Sequence, residues 1–216
     1  MFGVTSNAEH SKCNRTLRYD GLSESIKTKL QNGKTALAAD SKTDSDFHIG
    51  YVFKLVDLDA ELVMAVFSSY SEQKGNIRSL LESTVEDQKG NWARVKYELD
   101  TGHVLIPNSH YSVNDVVSKE NNTFLMYWNL AYSWGLSKPT YIDGYMRTEP
   151  VGARTLILYC NYAIPDIGLA PDTVNEDGLE AMKNTVEDIS KWVTKVSRDQ
   201  AKVNRHIERF RGMLGN

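Results

Sequence analysis

Leu179, Met182, Val186, Ile189, Val193 and Val196 recur at alternating steps of three and four. On a helix that spacing gathers them into one apolar stripe, which Trp192 widens. Glu180, Lys183, Glu187, Lys191, Lys195 and Arg198 fall on the opposite face. The spacing predicts a helix from about Asn175 to Val196, extending to Phe210, with Thr173 and Glu176 as a capping box and Pro171 at its entry. A helix so long and one-sided requires a broad apolar surface to lie on.

The strand-rich block over residues 80–165 is the partner of that size. Residues 84–88 and 92–100 flank Lys89-Gly90, residues 111–118 and 123–134 flank a polar turn, and residues 140–148 and 154–164 flank a third. Together they predict an antiparallel meander. Alternation assigns an inward set of Ala93, Val95, Tyr97 and Leu99; Phe124, Met126, Trp128 and Leu130; Ile142, Gly144 and Met146; Leu156, Leu158, Cys160 and Tyr162. Arg94, Lys96, Glu98, Asn129, Asp143, Arg147 and Asn161 go to a wet outer face. Ahead of the meander, residues 22–30 read as a short helix capped by Ser23, and residues 34–39 and 47–56 as paired strands. Odd-numbered residues of the second strand are expected on its buried face. Residues 57–70 read as a helix capped by Asp57, and residues 1–16 as a frayed end.

A chain of 216 residues with no Pro/Gly/Ser-rich linker in its middle suits one domain. Its net charge of −3, with both signs interspersed, offers no basic face, so nucleic acid is not an expected partner. The apolar runs are too short to span a bilayer, and no charged and apolar leader opens the sequence; the compartment stays open, with the cell envelope or secretion expected for a processed chain. Cys13 and Cys160 leave room for one bridge. The five histidines are scattered, and P-loop, dinucleotide-glycine and nucleophile-elbow patterns are absent, so no metal, cofactor or catalytic residue is expected. Asp100-Thr101-Gly102 copies an aspartic-protease triplet but has no second copy and reads as a turn; His103 and His110 are the alternative acid/base or ligand pair. Gly144 marks a bend or room for a ligand.

The order of elements resembles the START-like, or Bet v 1-like (SRPBCC), helix-grip superfamily. The stretch from Phe53 to Tyr70, FKLVDLDAELVMAVFSSY, resembles that family's strand, helix and aromatic-ended turn, and LQNGKTAL from Leu30 to Leu37 resembles the run ahead of it. The resemblance covers roughly residues 30–197 and implies an α+β helix-grip fold: a curved antiparallel sheet wrapped around a long C-terminal helix, with an internal hydrophobic cavity. It divides the chain into an N-terminal extension with a short helix (1–30), a START-like domain (31–197) and a C-terminal helical tail (198–216). Residues 103–110 and the tail depart from the family pattern.

The implied function is binding, and transport, of a hydrophobic or amphipathic, lipid-like molecule without catalysis. Tyr97, Phe124, Met126, Trp128, Ile142, Met146, Leu156, Leu158, Met182, Val186 and Ile189 are the expected ligand-binding residues. Transient contact with a membrane surface is expected through apolar loop tips at residues 102–109 and 165–172; the oligomeric state stays open. A cyclase- or aromatase-like enzyme is the alternative, and it requires a buried ionisable group in the cavity; the inward set holds none but tyrosines. A third reading is an interaction module built on Val203, Ile207 and Phe210 of the tail.

Overall fold

In the computed structural model, which describes residues 12–41, 43, 45–102, 106–166 and 169–215, one sheet contains every strand. These are β1 (Ala36–Asp40), β2 (Ile49–Val56), β3 (Leu80–Lys89), β4 (Trp92–Leu99), β5 (Ser109–Glu120), β6 (Thr123–Trp134), β7 (Lys138–Val151) and β8 (Arg154–Asp166). They lie in the order β1-β2-β8-β7-β6-β5-β4-β3. Every neighbouring pair is antiparallel. The helices are α1 (Glu24–Gln31), α2 (Ala60–Phe67), α3 (Tyr70–Gln73), α4 (Pro171–Ser197) and α5 (Gln200–Leu214). The sheet is curved, and α4 lies against it as the expected α+β helix grip.

The helix starts differ from the sequence reading in instructive ways. The α4 helix opens on Pro171, whose missing N–H is no loss in the first turn, so Thr173 lies inside the helix and forms no capping box. Asp59, not Asp57, caps α2 by accepting from the Leu62 N–H at 3.0 Å. The expected extension to Phe210 is a separate helix. Polar Asp199 and Gln200 fall where the stripe demands apolar residues, α4 ends at Ser197, and the Asp199 carboxylate restarts α5 by accepting from Lys202 N–H at 3.2 Å.

Two apolar clusters lie on the two faces of the sheet. On the inner face α2, α4 and α5 pack over Ala93, Val95, Met126, Met146 and Ile157. The tail belongs to this core: Phe210 is fully buried with its ring 5.5 Å from that of Phe124, and Val203 and Ile207 pack beside it. The face proposed for a partner is thus occupied by the protein's own core. Arg211 forks onto Glu61 at 2.8 Å, tying α5 to α2.

The outer face is wet along β4, where Arg94, Lys96 and Glu98 reach solvent, but dry over β7, β8 and β2. Residues 13–22 and α1 cover that dry side, burying Tyr51, Phe53, Tyr145, Leu156, Leu158 and Cys160. This corrects the reading of β8, whereas the odd residues of β2 are buried as expected. Leu156, Leu158, Cys160 and Tyr162 point outward, and the odd residues of β2 join them, while Val52 and Ile157 face the helices. Strands covered on both sides lose the polar phase that alternation relies on, so their parity is not readable from hydrophobicity alone. Asp143 and Arg147, expected in solvent, are 3% exposed. The covering segment satisfies them: Cys13 N–H donates to Asp143 at 3.1 Å, Arg15 pairs with Asp143 at 3.3 Å, and Arg147 donates to the Arg15 carbonyl. A disulfide joins Cys13 to Cys160 across 147 positions, so residues 12–16 are no frayed end; residues 1–11 lie outside the described residues.

Candidate functional site

The register of the sheet builds the site. Ala93 pairs with Asp115, Asp115 with Trp128, Trp128 with Gly144, and Gly144 with Asn161, one row running across β4 to β8 on the inner face. A Cβ on Gly144 would lie 2.4 Å from Trp128 Nε1. The missing side chain therefore makes room for the indole, which reaches across it and donates to Asn161 Oδ1 at 3.0 Å. Gly50 plays the same part beneath α4, where a Cβ would lie 2.6 Å from Met182 Sδ. The helix thus sits close to β2 and stands off from the middle of the sheet.

Between them lies a cavity of about 310 Å³. Of the expected ligand-binding residues, Tyr97, Met126, Trp128, Ile142 and Met182 line it. Phe124, Met146, Val186 and Ile189 are buried on the same side of the sheet but belong to the solid core beside the cavity. Leu156 and Leu158 lie on the other face, under the N-terminal segment, a correction that follows from the parity of β8. In their place β8 contributes Tyr159, Asn161 and Ala163 to the wall.

The residue that the sequence reading missed is Asp115. Its carboxyl lines the cavity, the residue is 2% exposed, and Oδ2 has no hydrogen-bond partner among the described residues. Desolvation pushes the carboxyl well above its ordinary value, so it is held toward the neutral acid. The phenols of Tyr70, Tyr97, Tyr111 and Tyr159 surround it electrostatically, and burial pushes each of them up as well. Rings pair around this group: Tyr97 and Tyr111 have centroids 5.8 Å apart, Trp128 and Tyr159 5.2 Å. The signal for Asp115 existed in its strand, where Tyr111, Val113, Asp115 and Val117 alternate with Ser112, Asn114, Val116 and Ser118, a phase polar but for Val116. A carboxylate in the apolar phase of a strand is the anomaly to look for.

Among the described residues, no Lys, Arg or His lines the cavity; its ionisable carboxyls are Asp115 within and exposed Asp100 at the rim. Asp100 accepts from Gly102 N–H at 2.9 Å, so the Asp-Thr-Gly triplet forms a turn. Of the two histidines of the alternative acid/base or ligand pair, His110 stacks on Trp134 at 5.6 Å and His103 lies outside the described residues. So do Val104, Leu105, Ile167 and Gly168 of the expected loop tips, although Ser109 and Pro165, which bound those loops, line the cavity.

A second polar cluster lies apart from the cavity. Ser69 Oγ and His206 Nδ1 are 2.7 Å apart, and His206 Nε2 is 3.7 Å from Glu72. The composition is that of a hydrolytic relay, but Ser69 is fully buried, donates to the Ala65 carbonyl at 3.0 Å and receives Arg209. No substrate reaches that hydroxyl; the cluster docks α5 onto α2 and α3.

No protein-family model matches the sequence, and no curated protein does. Solved structures do. A STAR-related lipid transfer protein from Xanthomonas axonopodis superposes with a TM-score of 0.66 at 10% identity, over 74% of this chain and 93% of that one. Human STARD10 gives 0.67 at 12% identity over 80% and 74%, and human StAR-related lipid transfer protein 5 gives 0.61 at 11% over 74% and 82%. At such identities the likeness is one of fold.

Proposed function

We propose that this protein, whose fold is the START-like helix grip, binds a hydrophobic or amphipathic small molecule in the cavity between sheet and α4. The observation that carries the reading is the cavity itself: about 310 Å³ set between Trp128 and Met182. Natural interiors pack to near-crystalline density and keep few voids larger than a water. The structural neighbours named as lipid transfer proteins support a lipid-like ligand. Burial would drive binding, at roughly 5 kcal/mol for about 200 Å² of apolar ligand surface taken from water.

Met182→Trp tests the reading. Met182 is pinned from below by the β2 backbone at Gly50, so the added bulk must enter the cavity. Uptake of a fluorescent acyl-chain probe should fall at least tenfold with the fold retained by circular dichroism. Undiminished uptake would place binding elsewhere, and no uptake by the unmodified protein would remove the reading. Asp115 also supplies the buried ionisable group that a cyclase-like reading requires. That reading predicts turnover of a bound carbonyl substrate that Asp115→Asn abolishes without loss of binding.

A further inference from the structure

We propose that the cavity selects an apolar molecule carrying one amine, with Asp115 as its counter-ion. The inference rests on the binding reading above and names its ligand class. Three observations lead to it. Asp115 is almost wholly buried, lines the cavity and presents an unpartnered Oδ2. A lone buried carboxyl is costly, and natural interiors leave such groups unsatisfied only for a reason. The second observation is the sign of the lining: among the described residues it holds no cation, and its two carboxyls are Asp115 inside and Asp100 at the rim. A fatty acid or phosphate head group would meet no opposite charge there and one like charge. The third is the ring set of Tyr97, Tyr111, Tyr159 and Trp128 around the acid, whose π-faces favour cations over anions.

A neutral hydroxyl ligand would satisfy Oδ2 as well, but an asparagine in the same place would serve it equally. What a carboxyl adds is the capacity to ionise. The ionisable groups facing Asp115 are phenols, from Tyr97 on β4, Tyr111 on β5, Tyr159 on β8 and Tyr70 on α3, all held neutral by burial. The α4 wall, with Ala181, Met182 and Thr185, contributes none. Binding then balances simply. The ammonium enters with its charge, the Asp115 carboxylic acid loses its O–H proton to solvent, an ion pair forms, and no covalent bond is made or broken on the ligand. One proton leaves for each amine bound.

The size of the cavity sets the probes. About 310 Å³ is roughly ten times the ~30 Å³ share of a water in the liquid, which suits a chain of about ten to twelve heavy atoms. Decylamine, decanol and decanoate are therefore titrated calorimetrically at pH 7, below their aggregation concentrations, in two buffers of different ionisation enthalpy. Decylamine should bind at least tenfold tighter than decanol, decanoate should bind more weakly than either, and the buffer comparison should give close to one proton released per amine. Asp115→Asn should bring the amine down to the affinity of the alcohol and abolish proton release, leaving the alcohol within about twofold. An amine no tighter than the alcohol, or bound without proton release, overturns the proposal while leaving the binding reading intact. Failure of all three probes to bind the unmodified protein defeats both. The buffer comparison needs no variant, so the test stands even if Asp115→Asn does not fold.

Discussion

Asp115 should make the protein less stable as pH rises, and Asp115→Asn should remove that dependence. The carboxyl is 2% exposed in the cavity and raised well above the ordinary value of 3.8 by desolvation. In the unfolded chain it ionises near 3.8; in the folded protein it keeps its proton to higher pH. The folded state therefore binds more protons between those two values, and linkage makes stability fall with rising pH across that window. Below 3.8 the group's contribution is fully present; above the folded value the loss is complete and constant. Within the window each pH unit removes about 1.4 kcal/mol. With a urea dependence of about 2–3 kcal/mol per M, the midpoint gap between Asp115→Asn and the unmodified protein should widen by about half a molar per pH unit from pH 4 upward. The variant should become the more stable protein near neutrality, since it no longer carries an acid that the cavity forces to stay protonated. Urea unfolding followed by tryptophan fluorescence, with no ligand present and the disulfide intact, measures this directly. A gap that stays constant between pH 4 and 7 would refute the reasoning, because Asp115 would then be as ionised in the folded protein as in the unfolded chain.

Three further perturbations follow from the same geometry. Replacing Cys13 and Cys160 by Ser opens a loop closed across 147 positions, which chain entropy values at about 5 kcal/mol, and urea unfolding with and without dithiothreitol should show a loss of several kcal/mol in the reduced or substituted protein. A loss below about 1 kcal/mol would show that the N-terminal segment stays docked through Asp143 and Arg147 alone. Gly144→Ala places a methyl 2.4 Å from Trp128 Nε1 and 2.7 Å from the Cys160 carbonyl, so it should cost about 1–3 kcal/mol and shift the tryptophan emission as the indole leaves Asn161; an unchanged spectrum would refute the assigned packing. His206 is held below its ordinary value of 6.5, first by burial, with Glu72 opposing and Arg209 and Arg205 reinforcing. Its contribution to docking α5 is therefore present above pH 6.5 and lost as pH falls below it, and hydrogen exchange should show α5 opening at pH 5 relative to α4, an effect absent in His206→Gln.

The readable part of this fold was the part with one wet face. The stripe from Leu179 to Val196 and the alternation in β4 and β6 each border solvent on one side, so the polar phase declares the apolar one. Tyr97, Met126, Trp128 and Met182 were placed toward the cavity on that basis, and they line it, as does Ile142 of β7. The reasoning broke where both faces are covered. In β8 the run from Leu156 to Tyr162 carries apolar residues in both phases, and choosing the phase with Cys160 put Leu156 and Leu158 on the wrong face and Asn161 in solvent. Asp115 was missed for a different reason. Its strand was recognised but its phase was not drawn, although pairing with inward Ala93 and Trp128 would have given it.

The covered side of the outer face also bears on what holds the cavity wall in place. Cys160 points outward into the disulfide with Cys13, while its neighbours Tyr159 and Asn161 point inward as cavity wall. On the adjacent strand Asp143 holds the N-terminal segment from outside, and next to it Gly144 makes room for the indole that Asn161 accepts from. A strand residue cannot slide or rotate without carrying both neighbours to the opposite face. The segment around Cys13 is therefore fastened to the same few residues that set the polar floor of the cavity. Residues 12–31 are thus a supporting layer of the cavity wall, and removing them should loosen that wall itself, not merely strip an appendage from it.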